Sequence, residues 1–188
     1  MKIAVLWSSA NTDGLTAAAK DRFLSGLRRT GVEIDEIHLD RLRMERCRAC
    51  GNGWGSCAAN GRCWLEDDFS GVYQRLVEAD GIAWFTAVYW HDVTECMKAF
   101  LDRLRRCETA RNHFLSGKRC FLAACAGGTG LGAIECLHSL EETLKHMVMR
   151  AYDRIPVIRY NRTYILPALE TAGELYAERT EKGFDMQY

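Results

Sequence analysis

Five short apolar runs divide this chain, and an amphipathic helical pattern follows each of them. The runs are 2–7 (KIAVLW), 32–39 (VEIDEIHL), 81–86 (GIAWFT), 118–125 (KRCFLAAC) and 151–160. Helical spacing puts Leu15, Ala18, Ala19, Phe23 and Leu27 on one stripe of 15–29, and Phe69, Val72, Tyr73, Leu76 and Val77 on one stripe of 68–79. The same spacing runs through 93–106 (Val93, Cys96, Met97, Phe100, Leu101, Leu104) and 132–149 (Ile134, Leu137, Leu140, Leu144, Met147, Val148). Such alternation predicts an α/β fold with a doubly wound parallel sheet. The third and fourth runs are nearly unbroken, as expected for central strands covered on both faces. Pro156 inside the fifth run fits an edge strand, because proline cannot donate to a central ladder. A five-stranded order of 2-1-3-4-5 satisfies this and gathers the loops after strands one, three and four at the switch point, where ligands bind. Pro167 is expected to open a last helix over 167–181, with Leu169, Ala172, Leu175 and Tyr176 on one side.

The 188 residues are expected to form one domain, residues 1–188, with an unusually long connection over 40–67. Lys plus Arg equals Asp plus Glu at 25 each, so nothing points to nucleic acid or an anionic membrane surface as a partner. No apolar run approaches membrane-spanning length and the chain starts on a strand, so a cytoplasmic protein is expected. Nine cysteines in a reducing compartment argue against a disulfide framework. Cys96, Cys107, Cys120, Cys125 and Cys136 are scattered through apolar patterns and read as small buried hydrophobes.

Three loops carry the chemistry. The first, SSANTDGLT at 8–16, joins a strand to a helix N-terminus, where backbone N–H groups and the helix dipole favour an anion. With one glycine and no Gly-Lys-Ser/Thr it is neither a Walker loop nor a dinucleotide fingerprint. The hydroxyls of Ser8, Ser9, Thr12 and Thr16 suit a terminal phosphate monoester; an ordinary capped turn is the alternative. The second loop, TAVYWHDVT at 86–94, places Tyr89 and Trp90 where a buried strand surfaces, as walls for a flat ring or as caps on the core. The third, ACAGGTGLGA at 124–133, lets its backbone approach a ligand and point N–H donors from Gly127, Gly128, Thr129 and Gly130 inward.

These segments, with EADGIAWFTAVYWHDVTECMKAFLDRL in the middle, resemble the NADPH-dependent FMN reductase family of flavodoxin-like proteins over roughly residues 2–150. Ala87 stands where that family usually has proline, and His91 where a small residue is common. The resemblance implies FMN, held at its phosphate by Ser8, Asn11, Asp13, Leu15 and Thr16 and at its ring by Ala87, Val88, Tyr89, Trp90, Gly127, Gly128 and Thr129. It implies electrons from a nicotinamide nucleotide, NAD(P)H, passing through flavin to a small acceptor. No catalytic acid or base is implied, because the flavin carries the chemistry. A homodimer or higher oligomer is expected, with Trp54 and Trp64 either as interface anchors or packed on their own domain.

The long connection holds Cys47, Cys50, Cys57 and Cys63 among glycines. It resembles the cysteine region of iron–sulfur flavoproteins, whose spacing is more compact. Three readings stay open for these metal-ligand candidates: a 4Fe–4S cluster, with the chain then carrying electrons between protein partners; zinc, disfavoured by the wide 57/63 pair; or packing residues. Arg41, Arg43, Arg46 and Arg48 around the first pair either lower thiolate pKa values or form a solvated basic face.

Overall fold

A computed structural model of the protein describes residues 1–110 and 113–183. Five parallel strands form one sheet in the order β2-β1-β3-β4-β5: β1 Lys2–Ser8, β2 Glu33–His38, β3 Gly81–Ala87, β4 Arg119–Ala126 and β5 Arg150–Ile158. The doubly wound fold read from the apolar runs is the one formed. Alternate strand residues feed two cores. Ile3, Val5, Phe85 and Phe121 face α1 (Leu15–Arg29) and α6 (Arg162–Lys182). Leu6, Ile82, Trp84 and Leu122 face α3 (Phe69–Glu78), α4 (Glu95–Ala110) and α5 (Ala133–Lys145). This is the period-two signature of a sheet buried on both sides.

Helices α1 and α6 approach closely at two glycines. A Cβ on Gly26 would lie 1.9 Å from the Glu170 carbonyl oxygen, and one on Gly173 2.3 Å from that of Phe23. Phe23 fills the centre of this layer, with ring centroids 4.4 Å from Phe121 and 5.4 Å from Phe85.

Proline behaves differently at its two positions. Pro156 pairs with Ala124 on β5, which bonds only β4, so the edge assignment holds. Pro167 does not open the last helix. Asn161 precedes α6, its carbonyl accepting from the N–H groups of Tyr164 and Ile165, and Pro167 lies in the second turn. The Asn161 side chain also bonds Ile158 N–H and the Pro156 carbonyl, so the turn out of β5 fixes the helix start. Helix α5 is shorter than its apolar pattern. It ends at Lys145; Val148 turns into the left-handed region at φ 59°, and Ile134, expected in the core, is 64% exposed. The connection over 40–67 gains a 3-10 turn at Leu39–Arg41 and a single-turn helix α2 (Ser56–Asn60). Among the described residues no helix is long and apolar enough to cross a membrane.

Candidate functional site: three loops and a cysteine cleft

The carboxyl ends of β1, β3 and β4 carry the three loops anticipated from the sequence, side by side on one rim of the sheet. Their floor is a polar network. The buried Ser8 hydroxyl donates to Asp40 Oδ2 at 2.6 Å and also bonds the Thr94 hydroxyl. Thr94 Oγ1 accepts from Met97 N–H at 3.2 Å and so caps α4, while the Thr94 N–H reaches Thr86 Oγ1. His38 packs its Nε2 3.0 Å from the Ser9 carbonyl oxygen and stacks on Trp7 with ring centroids 3.6 Å apart. Ser8 thus ties β1 to the 3-10 turn that follows β2 and to the start of α4. Asp40 and His38 carried no sequence signal of this role, because their partners lie at distant positions. Thr94 lies inside the helical pattern read over 93–106, and the structure starts α4 one residue after it, at Glu95.

Above this floor, the first loop is built around Asn11, whose side chain accepts from Asp13 N–H at 3.1 Å. Gly14 stands at the N-cap of α1, which has no side-chain cap and no acidic residue in its first turn. The leading N–H groups of α1 are thereby left for water or an anion. Asn11, Thr12 and Asp13 are exposed there, Leu15 is half-buried, and Thr16 is buried in the first turn.

The second loop is a tight two-residue turn. Tyr89 and Asp92 exchange both backbone hydrogen bonds, at 2.9 and 3.1 Å, around Trp90 at φ 48° and His91 at φ 68°. Two consecutive left-handed residues without glycine are costly, and the turn holds Trp90 96% exposed. Ala87 and Val88 lead into it half-buried, and the Val88 N–H bonds the Cys125 carbonyl at 3.0 Å, locking this loop to β4. The third loop meets the second at Gly132, where a Cβ would come within 2.8 Å of His91 Cα. Gly127, Gly128 and Thr129 are exposed, and a Cβ on either glycine would meet no atom within 4 Å. The backbone there borders open space of the kind a flat ligand fills. Cys125, beside it, is buried, and burial pushes its thiol up to about 12.

The cysteine loop makes a second feature. Cys47, Cys50, Cys57 and Cys63 line one cleft, and Cys107 of α4 joins them. The cleft has about 360 Å³ of free space, part of it open to solvent. Arg48, Arg103 and Arg106 complete the wall. Burial pushes the Cys107 thiol up to about 12, with Cys63 and Cys57 nearby adding to the effect. Cys47 also borders an open groove with Tyr89, Trp90 and Lys98, so the cleft lies beside the second loop. Trp54 and Trp64 are both exposed, with Arg106 4.9 Å from the Trp54 ring centre and Arg48 5.7 Å from that of Trp64.

A buried ion pair holds the cleft to the fold. Arg103 donates to both oxygens of Asp67, at 2.6 and 2.7 Å, and neither side chain is more than 1% exposed. Asp67 also accepts from Glu45 N–H at 2.8 Å, and Arg103 donates to the Glu45 carbonyl at 3.0 Å. Burial acts to raise the Asp67 pKa, and the Arg103 fork with the Glu45 N–H outweighs it, holding the carboxyl below its ordinary value. Among the described residues no three His, Cys, Asp or Glu side chains converge as ligands of one metal ion.

Comparison with known proteins now adds to this geometry. The profile of NADPH-dependent FMN reductases matches residues 1–159. The chain belongs to that family. Family membership supports FMN as the cofactor and oxidoreductase chemistry as the activity class. An iron–sulfur flavoprotein of Archaeoglobus fulgidus is 29% identical over 104 residues, 55% of this chain and 46% of that protein. One of Methanocaldococcus jannaschii is 28% identical over 105 residues, 56% of this chain and 52% of that protein. The matches thus span about half the length of these curated relatives. Among solved structures, a flavone reductase superposes with a TM-score of 0.73 at 16% identity, covering 100% of this chain and 66% of that one. The NAD(P)H:quinone oxidoreductase from Methanothermobacter marburgensis gives 0.70 at 21% identity, covering 94% and 97%. At those identities the superpositions show the shared flavodoxin-like fold. For an FMN reductase, the uncapped start of α1 and the open backbone at Gly127 and Gly128 fit a phosphate and a flat ring respectively.

Proposed function

We propose that this chain is an FMN-dependent oxidoreductase that takes electrons from NAD(P)H and passes them to a small acceptor. The observation that carries the reading is the convergence of three ligand-ready loops on one rim of the sheet. FMN, when bound, would supply two-electron redox chemistry between a nicotinamide donor and an acceptor. The chain's own residues bind and orient. Thr12, Asp13 and Thr16, beside Asn11 on the first loop, would hold the phosphate end together with the N–H groups opening α1. Tyr89 and Trp90 wall the ring, with Ala87 and Val88 lining the entry. Gly127, Gly128 and Thr129, exposed on the third loop, would offer backbone N–H donors to the ring, and donors at an edge that gains negative charge on reduction would favour the reduced form. No side chain is assigned as catalytic acid or base. Nicotinamide and acceptor take turns over one open face.

The same reading places the protein in the cytoplasm, in keeping with nine unpaired cysteines. It also makes the protein a homodimer: Trp90 and Leu131, both exposed on the site rim, favour a second subunit as the missing wall. The test is anaerobic titration of the flavoprotein with NADH and with NADPH. Bleaching of the flavin band by at least one of them, and its return on adding a quinone, is the expected result. A flavin that neither nucleotide reduces contradicts a nicotinamide-fed enzyme.

A second reading is favoured by the cysteine cleft: a 4Fe–4S cluster on Cys47, Cys50, Cys57 and Cys63, with electrons leaving to a protein partner. The donor set fits: Cys47, Cys50, Cys57 and Cys63 line one cleft, with Arg48, Arg103 and Arg106 in its wall. Zinc fits less well. Four thiolates on one zinc ion sit about 3.8 Å apart, from Zn–S bonds of about 2.3 Å, and the described cysteines show no such convergence. A four-iron cluster holds its thiolates farther apart. The names of the curated relatives point the same way.

A further inference from the structure

Two N–H donors in the wall of the cysteine cleft have no ordinary polar role, and both lie against sulfur. The first is on Arg103. Its terminal nitrogens are taken by Asp67 and the Glu45 carbonyl, but its Nε–H is buried with no hydrogen-bond partner. Cys63 lies beside this guanidinium. The Cys63 sulfur is the acceptor available to it, weak as a neutral thiol and strong as an anionic, metal-bound thiolate. The second donor is on Trp64. Its indole is exposed, with water available, yet Nε1–H turns inward onto Cys50 Sγ at 2.8 Å. A neutral thiol sulfur is a weak acceptor; an anionic, metal-bound sulfur is a strong one.

We propose that Arg103 and Trp64 are positioning residues that hydrogen-bond the sulfurs of an iron–sulfur cluster in this cleft, Arg103 at Cys63 and Trp64 at Cys50, and so raise its reduction potential. The proposal rests on the cluster reading above. A cluster on four thiolates carries net negative charge, and reduction adds one more. Hydrogen bonds to the sulfurs favour the more negative state. Arg103 is suited to this because it cannot swing away: Asp67 pins its fork, and Phe69 lies under it at 4.2 Å. A donor fixed in advance needs no reorganisation when charge arrives. Trp64 is held by Arg48 over its ring.

The experiment uses the full chain, reconstituted anaerobically with ferrous iron and sulfide. The midpoint potential is read by electron paramagnetic resonance during titration with dithionite. Trp64→Phe keeps the aromatic ring and removes the donor. Arg103→Lys keeps a cation on Asp67 and removes the Nε–H. Each variant is expected to take up a cluster with a reduction equilibrium about tenfold less favourable, a shift of about 59 mV to more negative potential for one electron. Trp64→Phe should keep wild-type FMN content and unfolding midpoint, so a purely structural role predicts no shift in it. If Arg103→Lys loses its FMN through misfolding, Trp64→Phe alone decides. Wild-type potentials in the variants, or shifts to more positive values, overturn the proposal and leave the cluster reading standing. A wild-type chain that takes up no iron overturns the cluster reading, and the proposal falls with it.

Discussion

Replacing Asp67 with asparagine is expected to cost about 3–5 kcal/mol of stability, the penalty for leaving one member of a buried ion pair uncompensated. The stranded group is Arg103, on α4 and at most 1% exposed, whose fork has Asp67 as its only carboxylate partner among the described residues. The loss reaches further than one pair, since Asp67 also accepts the Glu45 N–H and Phe69 N–H that begin and end the cysteine loop's return to the core. Urea unfolding at neutral pH measures the change, read as a lower midpoint at unchanged slope. The pH dependence gives a second check. The folded-state pKa of Asp67 lies below its unfolded value, so its stabilisation is fully present above about pH 3.9. It is lost as pH falls from there through the lower folded value. The asparagine variant should therefore lose less stability on acidification than wild type does. Asp35 with Arg75 and Glu141 with Arg154 are depressed in the same way, so a part of the acid sensitivity remains. A variant as stable as wild type at neutral pH contradicts this account of the loop's anchor.

Thr12→Val and Thr16→Val are each expected to weaken FMN binding by about 1.5–3 kcal/mol, the worth of a hydrogen bond to a charged group. That is roughly tenfold to a hundredfold in dissociation constant. Valine keeps the shape of threonine and removes the hydroxyl. Thr12 is exposed on the loop and Thr16 is buried in the first turn of α1, so the two test the loop and the helix start separately. The helix start there carries no side-chain cap. Fluorescence titration of the apoprotein with FMN, alongside a thermal melt, separates lost affinity from lost fold. Unchanged affinity in both variants shows that this loop is only a helix cap.

The fold was legible because each strand announces itself locally. Ile3 and Val5 alternate with Ala4 and Leu6, and Trp84 and Phe85 fall on opposite cores, as unbroken apolar runs demand of a covered sheet. Pro156 was legible for the same reason: a missing donor is a local fact. Pro167 misled because the start of α6 is set by Asn161 and the turn from β5, which outweigh the preference of proline for a helix's first position. Ile134 and Val148 misled because an apolar stripe says nothing of where its helix ends or what covers it.

The three loops were legible as loops at strand ends; the residues that support them were not. The first loop, the second loop's aromatics and the third loop's glycines stand where their motifs put them. Asp40 under Ser8, Arg103 on Asp67 and Cys107 in the cysteine cleft were hidden, since each acts through a partner more than 30 positions away. Arg103 reads as a solvated helix cation in the run KAFLDR, and only its burial shows otherwise.

The central claim is that this chain holds FMN in the cradle opened by residues 8–16. Its most direct test is to release the flavin from purified protein by heat and identify it chromatographically against the absorbance of the holoprotein. The account predicts FMN, one per chain. Recovery of FAD as the only flavin, or failure of the apoprotein to take up added FMN, contradicts it.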